Sequence, residues 1–201
     1  MPKSNPKSVY QSYNQIADWF SKHRSNELFE KPYLDWIIQH IKPSARILDL
    51  GCGNGKPILA YFYDQGFEIT GVDASIKMIE IAKKAFPKCQ LILKDMRVLK
   101  LNQKFDVILA WHSFFHLPPE DQKLMFGVFE QHIKKDGYLL FTAGPSEGEV
   151  YSDNGGIELY HASLSPKAYE SLLKKHHFKI IQHKKEDPQL KGATFYLAQY
   201  N

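Results

Sequence analysis

Two cysteines and three arginines are all that this chain of 201 residues contains of either type, and both scarcities exclude something. Cys52 falls in a glycine-rich turn and Cys89 just before a strand, so a disulfide between them is not expected and burial must hold the fold. Of 26 basic residues only Arg24, Arg46 and Arg97 carry the guanidinium fork that nucleic-acid readers favour. The lysines are scattered over helices and turns, so the net charge of +4 reads as solvated helix faces and nucleic acid is an unexpected partner. No apolar run reaches membrane-spanning length and no charged–apolar–small leader is present, which predicts a cytoplasmic protein with no membrane partner. No Cys or His pair shows zinc spacing, and His176-His177 are adjacent on a predicted helix where their rings diverge, so no metal is expected. Repeats and low-complexity tracts are also missing.

What is present is a regular alternation. With 43% hydrophobic residues the chain has the size and apolar content of one α/β domain. The first seven residues, with Pro2 and Pro6, read as a disordered arm, and residues 8–201 as a single domain. Helices are predicted over 9–21, 27–41, 57–65, 76–85, 120–133 and 166–175. Strands are predicted over 46–50, 68–72, 90–93, 106–110, 138–142, 179–183 and 194–199. Strand alternating with helix predicts a doubly wound, mostly parallel sheet. Residues 143–156, rich in Gly, Ser, Glu and Asp, read as a long loop, with 143–164 as an active-site loop region on the ligand edge.

The first strand ends in Asp49-Leu50-Gly51-Cys52-Gly53-Asn54-Gly55, followed by Lys56-Pro57. Glycines between a strand and a helix let a ligand approach the backbone. A phosphate-cradling Walker A loop fails twice, because Leu50 stands at its first glycine and Pro57 at its magnesium-binding hydroxyl. A dinucleotide fingerprint places its third glycine where Lys56 stands, and Asp49 would repel a pyrophosphate. The same carboxylate favours S-adenosylmethionine (SAM), which carries an ammonium and a sulfonium. Asp73, at the end of the second strand, is placed for a ribose, a role common to NAD and SAM sites. Asp95 could accept from an adenine amino group while Met96 packs on the ring. In open α/β sheets, ligands bind at the edge where these acids end their strands.

Together with Gly71-Val72-Asp73, Lys94-Asp95-Met96, Phe105-Asp106-Val107-Ile108 and Asp136-Gly137-Tyr138-Leu139-Leu140, the glycine motif resembles the class I SAM-dependent methyltransferases, from about Tyr10 to the C-terminus. The resemblance implies a Rossmann-like seven-stranded sheet whose last strand is antiparallel, with helices over 8–41 acting as a lid. It implies SAM as methyl donor, S-adenosylhomocysteine (SAH) as product, and cofactor contacts at Tyr13, Trp19, Arg24, Asp49, Gly51, Cys52, Gly53, Asp73, Ala74, Asp95, Met96 and Trp111. Arg24 could bind the methionine carboxylate as a planar fork.

For the acceptor, the resemblance directs attention to Trp111-His112-Ser113 after the fourth strand, where certain nucleic-acid N-methyltransferases carry Asn/Asp-Pro-Pro-Tyr/Phe. That departure argues against base methylation. His112, His116, Tyr160 and His161 are the candidate acceptor contacts, and His112 or His161 the candidate general base, an ordinary histidine pKa near 6.5 suiting that role. The expected acceptor is a small molecule, handled by a monomer or homodimer. A tRNA or protein side chain is the alternative substrate, and a non-catalytic SAM- or NAD-binding module the alternative class.

Overall fold

The computed structural model describes all 201 residues. Its centre is a seven-stranded sheet of order β3-β2-β1-β4-β5-β9-β8, built from β1 (Arg46–Leu50), β2 (Glu68–Asp73), β3 (Gln90–Leu93), β4 (Phe105–Ala110), β5 (Ile133–Ala143), β8 (Phe178–Asp187) and β9 (Ala193–Tyr200). The first five strands pair parallel, and β9 runs antiparallel between β5 and β8. The expected topology, with its antiparallel last strand, is therefore the one found.

Strand alternation sorts the core into two layers. Ile47, Val107 and Leu109 face a cluster completed by α2 (Lys31–His40), α3 (Ile58–Asp64) and α4 (Ile76–Ala85) through Leu34, Ile37, Phe62 and Ile79. Leu48, Ile108 and Ala110 face the opposite cluster, filled by Phe126 and Phe129 of α5 (Pro119–His132) and Tyr169 and Leu173 of α6 (Pro166–Lys175). Apolar runs buried on both faces are what a parallel central sheet requires. Ser75 and Ser165 cap α4 and α6, each accepting from the backbone N–H three residues on.

Two expectations are corrected. Residues 143–156 do not form a loop: β6 (Gly148–Asn154) and β7 (Ile157–Ser163) make an antiparallel hairpin. Its turn places Gly155 at φ +65° and Gly156 at φ +86°, a left-handed pair that suits the twist of a tight hairpin. The arm of residues 1–7 is also ordered. Strand β7 has one edge left open by β6, and the arm fills it: Glu158 N donates to Pro2 O (3.0 Å), Ser4 N to Glu158 O (2.9 Å), and Tyr160 N to Ser4 Oγ (2.8 Å). Unpaired backbone at a strand edge is costly once buried, which is the physical reason the arm is held.

Helix α1 (Val9–His23) lies on this hairpin. Val9 and Ile16 pack with Ile157, Leu159, Tyr160 and Ala162, forming a third small core. Ser4→Ala leaves the buried Tyr160 N–H without its acceptor and is expected to cost about 1–3 kcal/mol. Denaturant unfolding measures this, and an unchanged midpoint would show that the arm does not support the hairpin.

Candidate functional site

The parallel register brings the C-terminal ends of β1, β2 and β4 to one edge, with Asp49 opposite Gly71 and Leu109. There the chain turns sharply: Gly51 N and Cys52 N both donate to Val72 O, at 2.7 and 3.1 Å. Gly51 sits at φ +75°, and a Cβ there would come within 2.2 Å of Ser113 Cβ. Gly53, at φ +55°, has nothing within 4 Å of its Cβ position, so its backbone faces open space. Asp73 braces the turn from β2, accepting from Gly53 N at 2.9 Å through Oδ2 and from Ser75 N at 2.7 Å through Oδ1. A cleft opens over this edge, and Gly51, Gly53, Asp73, Ala74, Asp95, Met96 and Trp111 all line it.

Asp49 is the unusual group. It is 5% exposed, lines the cleft, and makes no side-chain hydrogen bond to the protein. Burial, reinforced by the nearby Asp73 charge and opposed by Arg24, pushes its pKa up to about 7. A buried carboxylate without partners is chemically suited to a cationic ligand. Arg24 borders the same cleft and forms no ion pair with any carboxylate of the chain; its guanidinium lies 5.4 Å from the centre of the Phe20 ring. Burial of Asp73 raises its pKa as well, with the N–H groups of Ser75 and Gly53 pulling the other way.

Asp95 is more committed than its place in the sequence suggests. Both of its oxygens are engaged by Arg97, whose Nη1 also donates to Asp121 (2.7 Å) and Nη2 to Lys7 O (2.7 Å). Arg97 thereby ties the N-terminal arm to the rim of the cleft, a role that the sequence reading missed. Met96 approaches Gly51, its methyl lying 3.3 Å from where a Cβ would stand.

Strand β4 ends in a bend. His112 adopts φ +49°, its N–H donating to Thr142 Oγ1 (2.8 Å), and this turns Trp111 inward. The indole Nε1 donates to Glu30 Oε1 at 2.8 Å. His112 lines the cleft as expected, and burial first, then the charge of Arg24 and the neighbouring His161, lowers its pKa to about 3, which weighs against the base role. It is neutral at physiological pH and a weak proton acceptor. His116 is similarly held to about 3 by burial and His161. It lines the cleft, its Nε2 bonded to Tyr13 Oη (2.9 Å) and its Nδ1 to Tyr160 O (2.8 Å).

Three predicted residues do not line the cleft. Trp19 is 39% exposed and covers the hairpin turn, where a Cβ on Gly155 would approach it to 2.7 Å. Its i, i+6 offset from Tyr13 carries it around the helix, so Tyr13 faces the cleft and Trp19 does not. The Tyr160 ring is buried in the α1–hairpin core. His161 packs behind His116, ring centres 4.7 Å apart, and its pKa is lowered mainly by burial. The expected roles of Tyr160 in acceptor binding and of His161 as a base lose their geometric support. Tyr10, Phe20, Asn54 and Met78 line the cleft without having been singled out. For Tyr10 and Phe20 the available signal was helical spacing around Tyr13.

The family described as "Methyltransferase domain" matches residues 20–183. YqeM of Bacillus subtilis is 30% identical over 154 residues, covering 73% of this chain, which spans 60% of YqeM's own length. The ubiquinone biosynthesis O-methyltransferase of Rickettsia typhi is 27% identical, with 92% of this chain and 79% of that protein covered. In fold, the chain is similar to the 1,6-didemethyltoxoflavin-N1-methyltransferase of Burkholderia thailandensis, solved with its substrate and SAH: TM-score 0.72, 18% identity, 100% of this chain and 92% of that one.

Proposed function

The chain belongs to the methyltransferase-domain family, and from that premise we propose that it transfers the methyl group of SAM to a small molecule by in-line displacement. The observation that carries this reading is the buried, unpartnered Asp49 facing a cleft walled by a glycine turn. In it, Asp49 takes the methionine ammonium, Arg24 the methionine carboxylate, Asp73 the ribose hydroxyls, and Met96 the adenine face. Asp95, braced by Arg97, keeps only its remaining lone pairs for the adenine amino group. SAM supplies an already activated methyl, so the protein's task is alignment and exclusion of water. Helix α1 and the arm act as the cover, with Tyr13 and Tyr10 on its inner face. A small acceptor is supported by the sparse arginines and by the Burkholderia protein of similar fold, a 1,6-didemethyltoxoflavin-N1-methyltransferase.

We place the enzyme in the cytoplasm as a monomer or homodimer; no helix is long and apolar enough to cross a membrane. Incubation with methyl-labelled SAM and a metabolite panel is expected to label a small molecule. Label appearing only in tRNA or protein, with salt-sensitive uptake for the former, would contradict the acceptor class.

A further inference from the structure

Beside the cleft lies a second, open hollow whose wall includes Phe29, Glu30, His112 and Lys191. Arg24, Pro57 and His112 border both spaces, so the two adjoin at the end of β4. Glu30 immediately precedes α2, at its N-cap position, and its side chain is only 7% exposed. One carboxylate oxygen, Oε1, accepts from Trp111 and lies 4.0 Å from His112 Nε2. The other, Oε2, is buried with no hydrogen-bond partner. A buried carboxylate oxygen left unpaired is expensive, and a ligand that supplies the missing donor removes that cost.

Resting on the reading of the main cleft as the SAM site, we propose that this hollow is the acceptor subsite and that Glu30 selects an amine. The lone pair of a neutral amine forms the new C–N bond while the C–S bond breaks and its electron pair stays on sulfur. Positive charge thus passes from sulfonium to nitrogen, which keeps its protons through the transfer and gives one to solvent afterwards. Oε2 accepts an N–H hydrogen bond before transfer and faces an ammonium after it, so the attraction grows along the reaction. A hydroxyl acceptor would instead have to give its proton to a base. The imidazole that borders both spaces, His112, is held to about 3 and takes a proton poorly. The other charges on the wall have assignments: Lys191 Nζ lies 3.8 Å from Glu27 Oε2 and 4.0 Å from the centre of the Phe29 ring, and Arg24 serves the methionine carboxylate.

The test is calorimetric titration of the SAH-saturated protein with benzylamine, cyclohexylamine and phenethylamine, each beside its alcohol counterpart. At least one amine is expected to bind about tenfold or more tightly than its alcohol. Glu30→Gln keeps the shape and the acceptor for Trp111, and is expected to erase that preference while SAH affinity changes by less than about twofold. Glu30→Asp keeps the charge and should retain part of the preference, separating lost charge from altered packing; it decides the matter if the Gln variant fails to fold. Failure of every amine to bind, equal binding of alcohols, or a preference that survives Glu30→Gln overturns the proposal. If SAH itself does not bind, it is the reading of the main cleft that fails, and the inference falls with it.

Discussion

Gly51→Ala is expected to lose about 2–5 kcal/mol of stability and most of its affinity for SAM. Two costs combine at this position. An alanine at φ +75° enters the left-handed region, and its methyl would lie 2.2 Å from Ser113 Cβ and 2.8 Å from Ser113 Oγ. Ser113 cannot simply turn aside, because its hydroxyl donates to Leu50 O at 2.6 Å and pins the β4 bend to the end of β1. The strain therefore passes to both walls of the cleft. Gly53→Ala is the informative contrast: φ is again positive, but nothing lies within 4 Å, so the fold should lose only about 1–2 kcal/mol while the new methyl occupies ligand space. Denaturant unfolding beside calorimetry separates the two. Equal stability loss in both variants would show that the contact with Ser113 does not matter.

Asp49→Asn is expected to move binding and stability in opposite directions. At pH 8 the wild-type carboxylate is ionised and ready for the ammonium, so neutralising it should weaken SAM binding by about 2–5 kcal/mol. As pH falls through the free-protein value of about 7, the wild-type carboxyl takes up a proton that SAM must displace, and affinity should fall toward about tenfold per pH unit. The Asn variant should lack this dependence. Stability follows the reverse sign. The folded pKa of Asp49 lies above its ordinary value of 3.8, so the contribution is present below that value and is lost as pH rises toward 7. At the upper end of that window the loss is worth about 4 kcal/mol. Asp49→Asn, which never ionises, should therefore melt higher than wild type at pH 8 in the absence of ligand. A lower melting temperature would mean that the carboxylate is structurally required rather than held ready for a cation.

The glycine edge of the cleft was readable from the chain because strand-terminal acids become neighbours once strands are parallel and in register, and glycine spacing restricts what can approach. Asp49, Gly51, Gly53, Asp73 and Met96 all reach the cleft for that reason. The surroundings of Glu30, proposed above as the acceptor side, were not readable. Glu30 lies inside a predicted helix, where an acid normally faces water; the helix in fact begins one residue later, and Trp111 comes across 81 positions to meet the carboxylate. The sequence pattern around His112 holds no sign of φ +49°, the bend that sends Trp111 inward and leaves His112 between the cleft and the hollow. Strand β6 escaped notice because its residues are mostly exposed and polar, with no apolar face to announce a strand, although Asn154-Gly155-Gly156 is a hairpin turn signal. The arm was misread because its composition suggests disorder, whereas its order comes from the open edge of β7.

The most direct measurement is calorimetric titration of the ligand-free protein at pH 8 with SAM, SAH and NAD in parallel. Binding of SAM and SAH at one site per chain, with no heat from NAD, is the predicted result; binding of NAD with neither SAM nor SAH would contradict the assignment of the cleft.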